Sequence, residues 1–222
     1  MTRLVIGALL ALLLTGPALA AESRPERPHW SLELKGGAFF PGVDNWSTFY
    51  GKSYLGEFGG ALSYKLERRL EVGIEGSYLS TNGKGTQPQH LQQGASLPPG
   101  GEVSYQQAPL NLFVLARGIF REDQWLVPYA AAGATRMFYQ AEVKGQGKTR
   151  GSVNGYHARG GLQFLLDDLE RGAADNLYLD YGIHHTYLLL EAKYTRAMVD
   201  TNSGGAVNIG GSSWLGGLLL EF

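Results

Sequence analysis

The sequence predicts an all-β protein: a transmembrane antiparallel up-and-down β-barrel of about eight strands, with a short helical insert between strands six and seven. Three observations predict it. Segment after segment alternates apolar with polar residues, the connections between segments alternate short and long, and the final alternating segment runs to Phe222. An even strand count returns the C-terminus to the side from which the first strand starts, as single-chain bacterial barrels require.

The N-terminus precedes the fold. Thr2-Arg3 is a short basic start, Leu4 to Leu14 is apolar, and Ala18-Leu19-Ala20 supplies small residues in an A-x-A pattern. This reads as a secretory signal at residues 1–20, cleaved before Ala21. Its apolar run falls short of the ~20 residues that a spanning helix needs. Residues 21–29, polar and containing Pro25 and Pro28, form a periplasmic lead-in, and residues 30–222 form the barrel. With no Cys in the chain, there is no disulfide framework, no thiolate chemistry and no lipoprotein anchor site. A net charge of −1 argues against a nucleic-acid partner. The 32 Gly weaken any helical reading. After the signal, no apolar stretch approaches helical spanning length, whereas a barrel strand needs only about 9–11 residues.

The elements follow in order. Trp30 to Phe40 alternates, with Trp30, Leu32 and Leu34 on one face and Ser31, Glu33 and Lys35 on the other. Residues 41–53 read as a loop. The second strand, Tyr54 to Leu66, sets Phe58, Leu62, Tyr64 and Leu66 against Glu57, Gly59, Ala61, Ser63 and Lys65. Glu67-Arg68-Arg69 is a tight turn. The third strand opens at Leu70 and sets Val72, Ile74 and Tyr78 against Glu71, Glu75 and Ser77. Two strictly alternating runs joined by a tight turn are a strong hairpin signal. Residues 81–104, rich in Gly, Pro and Gln, read as a long loop; a hairpin hidden there would make ten strands. The fourth strand, Tyr105 to Phe120, places Leu110, Leu112, Val114 and Ala116 opposite Asn111 and Arg117. Residues 121–124 turn. In the fifth strand, Leu126 to Val143, the Ala130-Ala131-Ala132 run hides the facing. Residues 144–152 read as a loop.

The sixth strand, Val153 to Leu165, sets Tyr156, Ala158, Leu162 and Phe164 against His157, Arg159 and Gln163. The period then changes: Leu166, Leu169, Ala173 and Leu177 recur at helical spacing, predicting an insert over 166–181 that is interrupted or capped near Gly172. The seventh strand, from Ile183 to Ala197, sets Leu188, Leu190, Ala192 and Tyr194 against Glu191, Lys193 and Thr195. Residues 199–210 form a loop, and Gly211 to Phe222 is the last strand.

Alternation alone also fits a soluble β-sandwich. The connections favour a barrel, because short turns at 67–69 and 121–125 fall on one side and the longer loops on the other. The ending adds a resemblance. In Trp214-Leu215-Gly216-Gly217-Leu218-Leu219-Leu220-Glu221-Phe222, Gly217, Leu220 and Phe222 match the C-terminal signal of bacterial outer-membrane barrels, although Leu215 stands where a polar residue is usual. The plan of signal plus eight strands resembles the small OmpA/OmpX- and OmpW-type barrels and the broad outer-membrane β-barrel domain family. The resemblance implies location in the bacterial outer membrane, outer-membrane lipid as surroundings, and the barrel-assembly machinery as a partner during biogenesis.

The strand facing then predicts chemistry. Glu33, Lys35, Glu57, Lys65, Glu71, Glu75, Arg117, Arg159, Glu191 and Lys193 should face the lumen. An eight-stranded barrel is narrow enough to be filled by side chains, so mixed charges imply a paired network. The expected role is structural or interactive, with no cofactor, no metal site and no assigned ligand. The alternative is a narrow channel for small or apolar solutes. A lipid A-modifying enzyme is disfavoured: His157 has Ser152 nearby in sequence, but the five His show no compact nucleophile–base pattern. Trp30, Tyr64, Tyr78, Trp125, Tyr129, Tyr194 and Trp214 are candidates for interfacial girdles.

Overall fold

The computed structural model describes residues 27–43, 46–83, 102–121, 124–143, 147–200 and 205–222. The strands are β1 (Trp30–Pro41), β2 (Leu55–Glu67), β3 (Leu70–Gly83), β4 (Val103–Arg117), β5 (Leu126–Val143), β6 (Gly147–Leu165), β7 (His185–Asp200), β8 (Ala206–Asn208) and β9 (Gly211–Glu221). Among the described residues two helices join them, α1 (Trp46–Tyr50) and α2 (Arg171–Tyr181). Each long strand pairs antiparallel with both neighbours. β1 pairs with both β2 and β9, and β6 pairs with β7, which closes an eight-stranded ring. The three-residue β8 only extends the hairpin beyond the end of β7.

Closure carries a stagger. The paired row starting at Trp30 passes through Tyr64, Val72, Val114, Ala132, Ala158, Tyr194 and Ser212 and re-enters β1 at Phe40, ten residues beyond its start. Stagger and strand number together fix tilt and width, and eight strands leave an interior that side chains can fill. The seam is bonded to its end: Trp30 N–H donates to the Phe222 carbonyl at 2.8 Å and Phe222 N–H donates to the Trp30 carbonyl at 3.0 Å. Backbone groups along the ring therefore find partners within the sheet, the condition for crossing hydrocarbon.

The wall is inverted relative to a soluble protein. Phe58 is 70% exposed, Trp214 66% and Leu112 61%, while Glu33, Glu71 and Glu75 are each 1% exposed. Large apolar side chains stand exposed around the whole circumference, the mark of a lipid-facing belt. Trp30, Tyr64, Trp125 and Phe222 ring the terminal rim, which carries both ends of the described chain, and Phe40, Tyr78, Phe138, Tyr156 and Tyr194 ring the other half. Among the described residues no helix is long and apolar enough to cross a membrane.

Both ends of the interior carry apolar clusters. At the rim away from the termini, α1 sets Trp46 against the inner wall among Phe39, Leu55, Leu79 and Tyr105. The Trp46 and Tyr105 rings meet edge-on at 5.1 Å. Toward the terminal rim, Val127, Tyr187, Leu189 and Leu219 cluster, with Ile119 and Leu165 against them.

Several expectations are corrected. The 41–53 loop contains α1. The third strand runs on to Gly83 and the fourth starts at Val103, which shortens the 81–104 loop from both sides. The 144–152 loop is largely strand, because β5 and β6 stay paired up to Val143 and Gly147. The 199–210 loop holds β8. The insert forms α2 at Arg171–Tyr181, later than expected, and helix continues through Gly172. The cap is Gly182, at φ 70°, whose N–H donates to the Tyr178 carbonyl; glycine adopts that left-handed conformation without penalty. Tyr129 is not a girdle residue: it is 5% exposed and points into the lumen. The proposed signal at 1–20 and the middle of the 81–104 loop lie outside the described residues.

Candidate functional site

Strand parity aims charged side chains from seven strands, and neutral polar ones from the eighth, β5, at the barrel axis. In the central layer, Lys35 Nζ on β1 lies 3.0 Å from Glu33, 2.6 Å from Glu75 on β3 and 3.1 Å from Glu191 on β7. The Arg159 guanidinium on β6 meets the same three carboxylates at 2.6, 3.3 and 2.7 Å. It also stacks over the Phe113 ring at 4.3 Å, a contact suited to a planar cation. Lys193 on β7 bridges Glu57 at 2.6 Å and Glu75 at 2.9 Å. Neutral donors complete the carboxylates: Tyr129 Oη donates to Glu191 at 2.7 Å, Asn111 to Glu75 at 2.9 Å, and Ser213 to Glu57 at 2.6 Å.

A second layer lies nearer the terminal rim. Arg117 on β4 hydrogen-bonds Glu221 on β9, reaches Glu71 at 3.3 Å and donates to Gln163 at 2.5 Å. Lys65 holds Glu221 from the other side at 2.7 Å, and Ser63 donates to Glu71 at 2.6 Å. Glu33, Lys35, Glu57, Lys65, Glu71, Glu75, Arg117, Arg159, Glu191 and Lys193 thus all sit inside the ring, divided between these two layers. Four carboxylates face three cations in the first layer, and two face two in the second.

The site has members that the sequence reading left out. Glu221 faces inward, a position that the matched C-terminal residues Gly217, Leu220 and Phe222 do not include. The signal was present, since Trp214, Leu218 and Leu220 on one face put Glu221 on the other. Tyr129 was masked by the alanine run beside it. Gly217 sits on the seam, where an added Cβ would fall 2.0 Å from the Leu34 carbonyl oxygen. Leu220 and Phe222 point outward at the terminal rim.

Chemically, the arrangement binds its own charges. The Glu33, Glu75 and Glu191 oxygens converge within 4.8 Å, a spacing that suits a metal ion, but the Lys35 ammonium and the Arg159 guanidinium already contact all three. His157 is buried, with Nδ1 3.1 Å from Thr135 Oγ1. Ser152 lies on the opposite side of the wall, where it accepts a hydrogen bond from Arg136, so the two do not form a nucleophile–base pair. At the terminal rim a cavity of 680 Å³ opens toward solvent and ends against Lys65, Arg117 and Glu221. At the other rim, burial pushes the Tyr50 phenol of α1 above its ordinary pKa.

The family model described as outer membrane protein beta-barrel domain matches residues 6–214. Among solved structures, OprG from Pseudomonas aeruginosa aligns with a TM-score of 0.56 at 12% identity, covering 90% of this chain and 99% of that one. Neisserial surface protein A aligns at 0.55 and 8% identity, covering 87% and 97%. The N-terminal β-barrel domain of Pseudomonas aeruginosa OprF aligns at 0.50 and 11% identity, covering 88% and 98%. At such identities the likeness is one of fold. Comparison with curated protein sequences gives no match. A closed eight-stranded ring with an apolar exterior and a charged interior is the fold this family builds, and the chain belongs to the outer membrane protein beta-barrel domain family, as a small β-barrel of the bacterial outer membrane.

Proposed function

We propose that this barrel acts as a sealed structural or interaction element of the outer membrane, neither a channel nor an enzyme. The observation that carries this reading is the lumen itself. Ion pairs from opposite walls meet at its axis, and the apolar cluster around Trp46 packs against the β1–β5 side of the interior toward the rim away from the termini. A narrow-channel function would require the contacts of Lys35 and Arg159 with three glutamates to part together, and separating buried pairs costs several kcal/mol. The test is swelling of liposomes carrying the refolded barrel in small sugars and amino acids. Swelling no faster than in protein-free liposomes is expected; solute-dependent swelling overturns the proposal.

Biogenesis belongs to the same reading. Residues 1–20 direct export and are removed before Ala21, and Gly217, Leu220 and Phe222 are read by the barrel-assembly machinery. By the general rule for these barrels, the rim bearing the termini faces the periplasm. Phe222→Ala should then lower the folded fraction assembled in cells while leaving refolding into detergent unchanged. Equal assembly of variant and wild type would count against the signal.

A further inference from the structure

One third of the lipid-facing wall differs from the rest. Arg136 on β5 and Arg196 on β7 point outward and are exposed, in the half of the wall away from the termini. Arg196 is paired across the ladder with Tyr156, and Arg136 with Asn154. Phe138 and Tyr194, also outward and exposed, stand two residues from them along β5 and β7. Both guanidiniums therefore sit at the level of the outer aromatic girdle, where the hydrocarbon ends. An arginine there costs only about 0–1 kcal/mol, against ~2–4 kcal/mol at mid-membrane. The outward positions of β1 to β4 and β9 at this height carry no charged side chain. The acidic residues on this part of the wall, Glu142 and Asp200, lie further out at the strand tips, Glu142 opposite Lys148.

Two further features point to an occupant. Arg136 is preorganised: it donates to Asn154 Oδ1 at 2.7 Å and to Ser152 Oγ at 2.6 Å, both on the same outer face. Those bonds use two of its five N–H donors. Below it, on the side away from Arg196, the belt sinks into a shallow apolar groove of 540 Å³ that runs from Ala132, Gly133 and Ala134 on β5 past Leu112 and Val114 on β4 to Ile74 on β3. A fixed guanidinium at the interface above an apolar groove matches a lipid with an anionic head and an acyl chain. Arginine forks favour phosphate oxygens. The two arginines stand two strand spacings and two residues apart along the wall, about 12 Å between backbones, so a head group with two phosphates can engage both.

We propose that the wall from β3 to β7 is a docking site for a phosphate-bearing glycolipid of the outer leaflet, its head held by Arg136 and Arg196 on β5 and β7 and an acyl chain in the β3–β5 groove beside Ala132 and Ala134. The test refolds the barrel into phosphatidylcholine nanodiscs with a small fraction of rough-type lipopolysaccharide and measures glycolipid retained per barrel by native mass spectrometry. Retention should fall about tenfold in R136Q/R196Q, a loss on the scale of charge-assisted contacts. It should also fall in A132L/A134L, which keeps both charges and fills the groove, so the test survives if the first variant fails to refold. Retention unchanged in either folded variant overturns the proposal. So does equal retention of the same glycolipid stripped of its phosphates. Complete displacement by inorganic phosphate would also overturn it, because the site would then bind free anion rather than lipid.

Discussion

At the scale of single residues, the interior depends on mutual satisfaction. Lys35 is the cation that three glutamates share with Arg159, and the first layer already carries one more carboxylate than it has cations. Lys35→Met removes a partner and leaves buried charge uncompensated, which costs about 3–5 kcal/mol in buried networks. Glu75→Gln removes a charge from the side in excess and keeps a hydrogen-bonding group, so it should cost less. The midpoint of urea unfolding, followed by heat-modifiable gel mobility, should fall clearly for the first variant and less for the second. The reverse order would contradict the assignment of Lys35 as a hub. Gly217 illustrates a different dependence. It stands where β9 meets β1 so closely that a Cβ would run into the Leu34 carbonyl, so the glycine that matches the assembly signal also has a packing reason to be there.

At the scale of elements, the two helices differ in what they do. α1 is short, yet it delivers Trp46 into the apolar cluster inside the rim away from the termini. α2 has no buried residue. The ladder closes without it: Leu166 N–H donates to the Thr186 carbonyl at 2.9 Å, and Asp167 accepts from Thr186 N–H at 2.9 Å. Replacing residues 169–183 with a two-residue Asn-Gly turn should therefore leave a heat-modifiable barrel whose stability changes by less than about 1 kcal/mol. Loss of the folded band would mean that α2 supports the wall. The helix was legible as a break from period two to period three or four. Its cap was not, because Gly172 and Gly182 look alike in sequence and only the fold shows which of them adopts the positive φ. α1 left no period to read, since five residues are too few.

At the scale of the whole molecule, the ring was legible because a closed barrel imposes the same two-residue period on every strand. Facing was read correctly on strands where large apolar and charged residues alternate, as at Leu32, Glu33, Leu34 and Lys35. It was hidden where alanines and glycines occupy both faces, as in Ala130 to Gly133. Contacts across the lumen were not legible at all. Lys35 and Glu191 are 156 residues apart, and only closure with its ten-residue stagger brings them to the same height. That stagger also determines which charges meet, and hence whether the lumen is sealed. Planar-bilayer recording of the refolded barrel tests the seal most directly. The expected record for the wild type is a flat baseline, without reproducible single-channel steps at voltages the bilayer survives. Discrete, reproducible steps from the wild-type protein would contradict a sealed lumen.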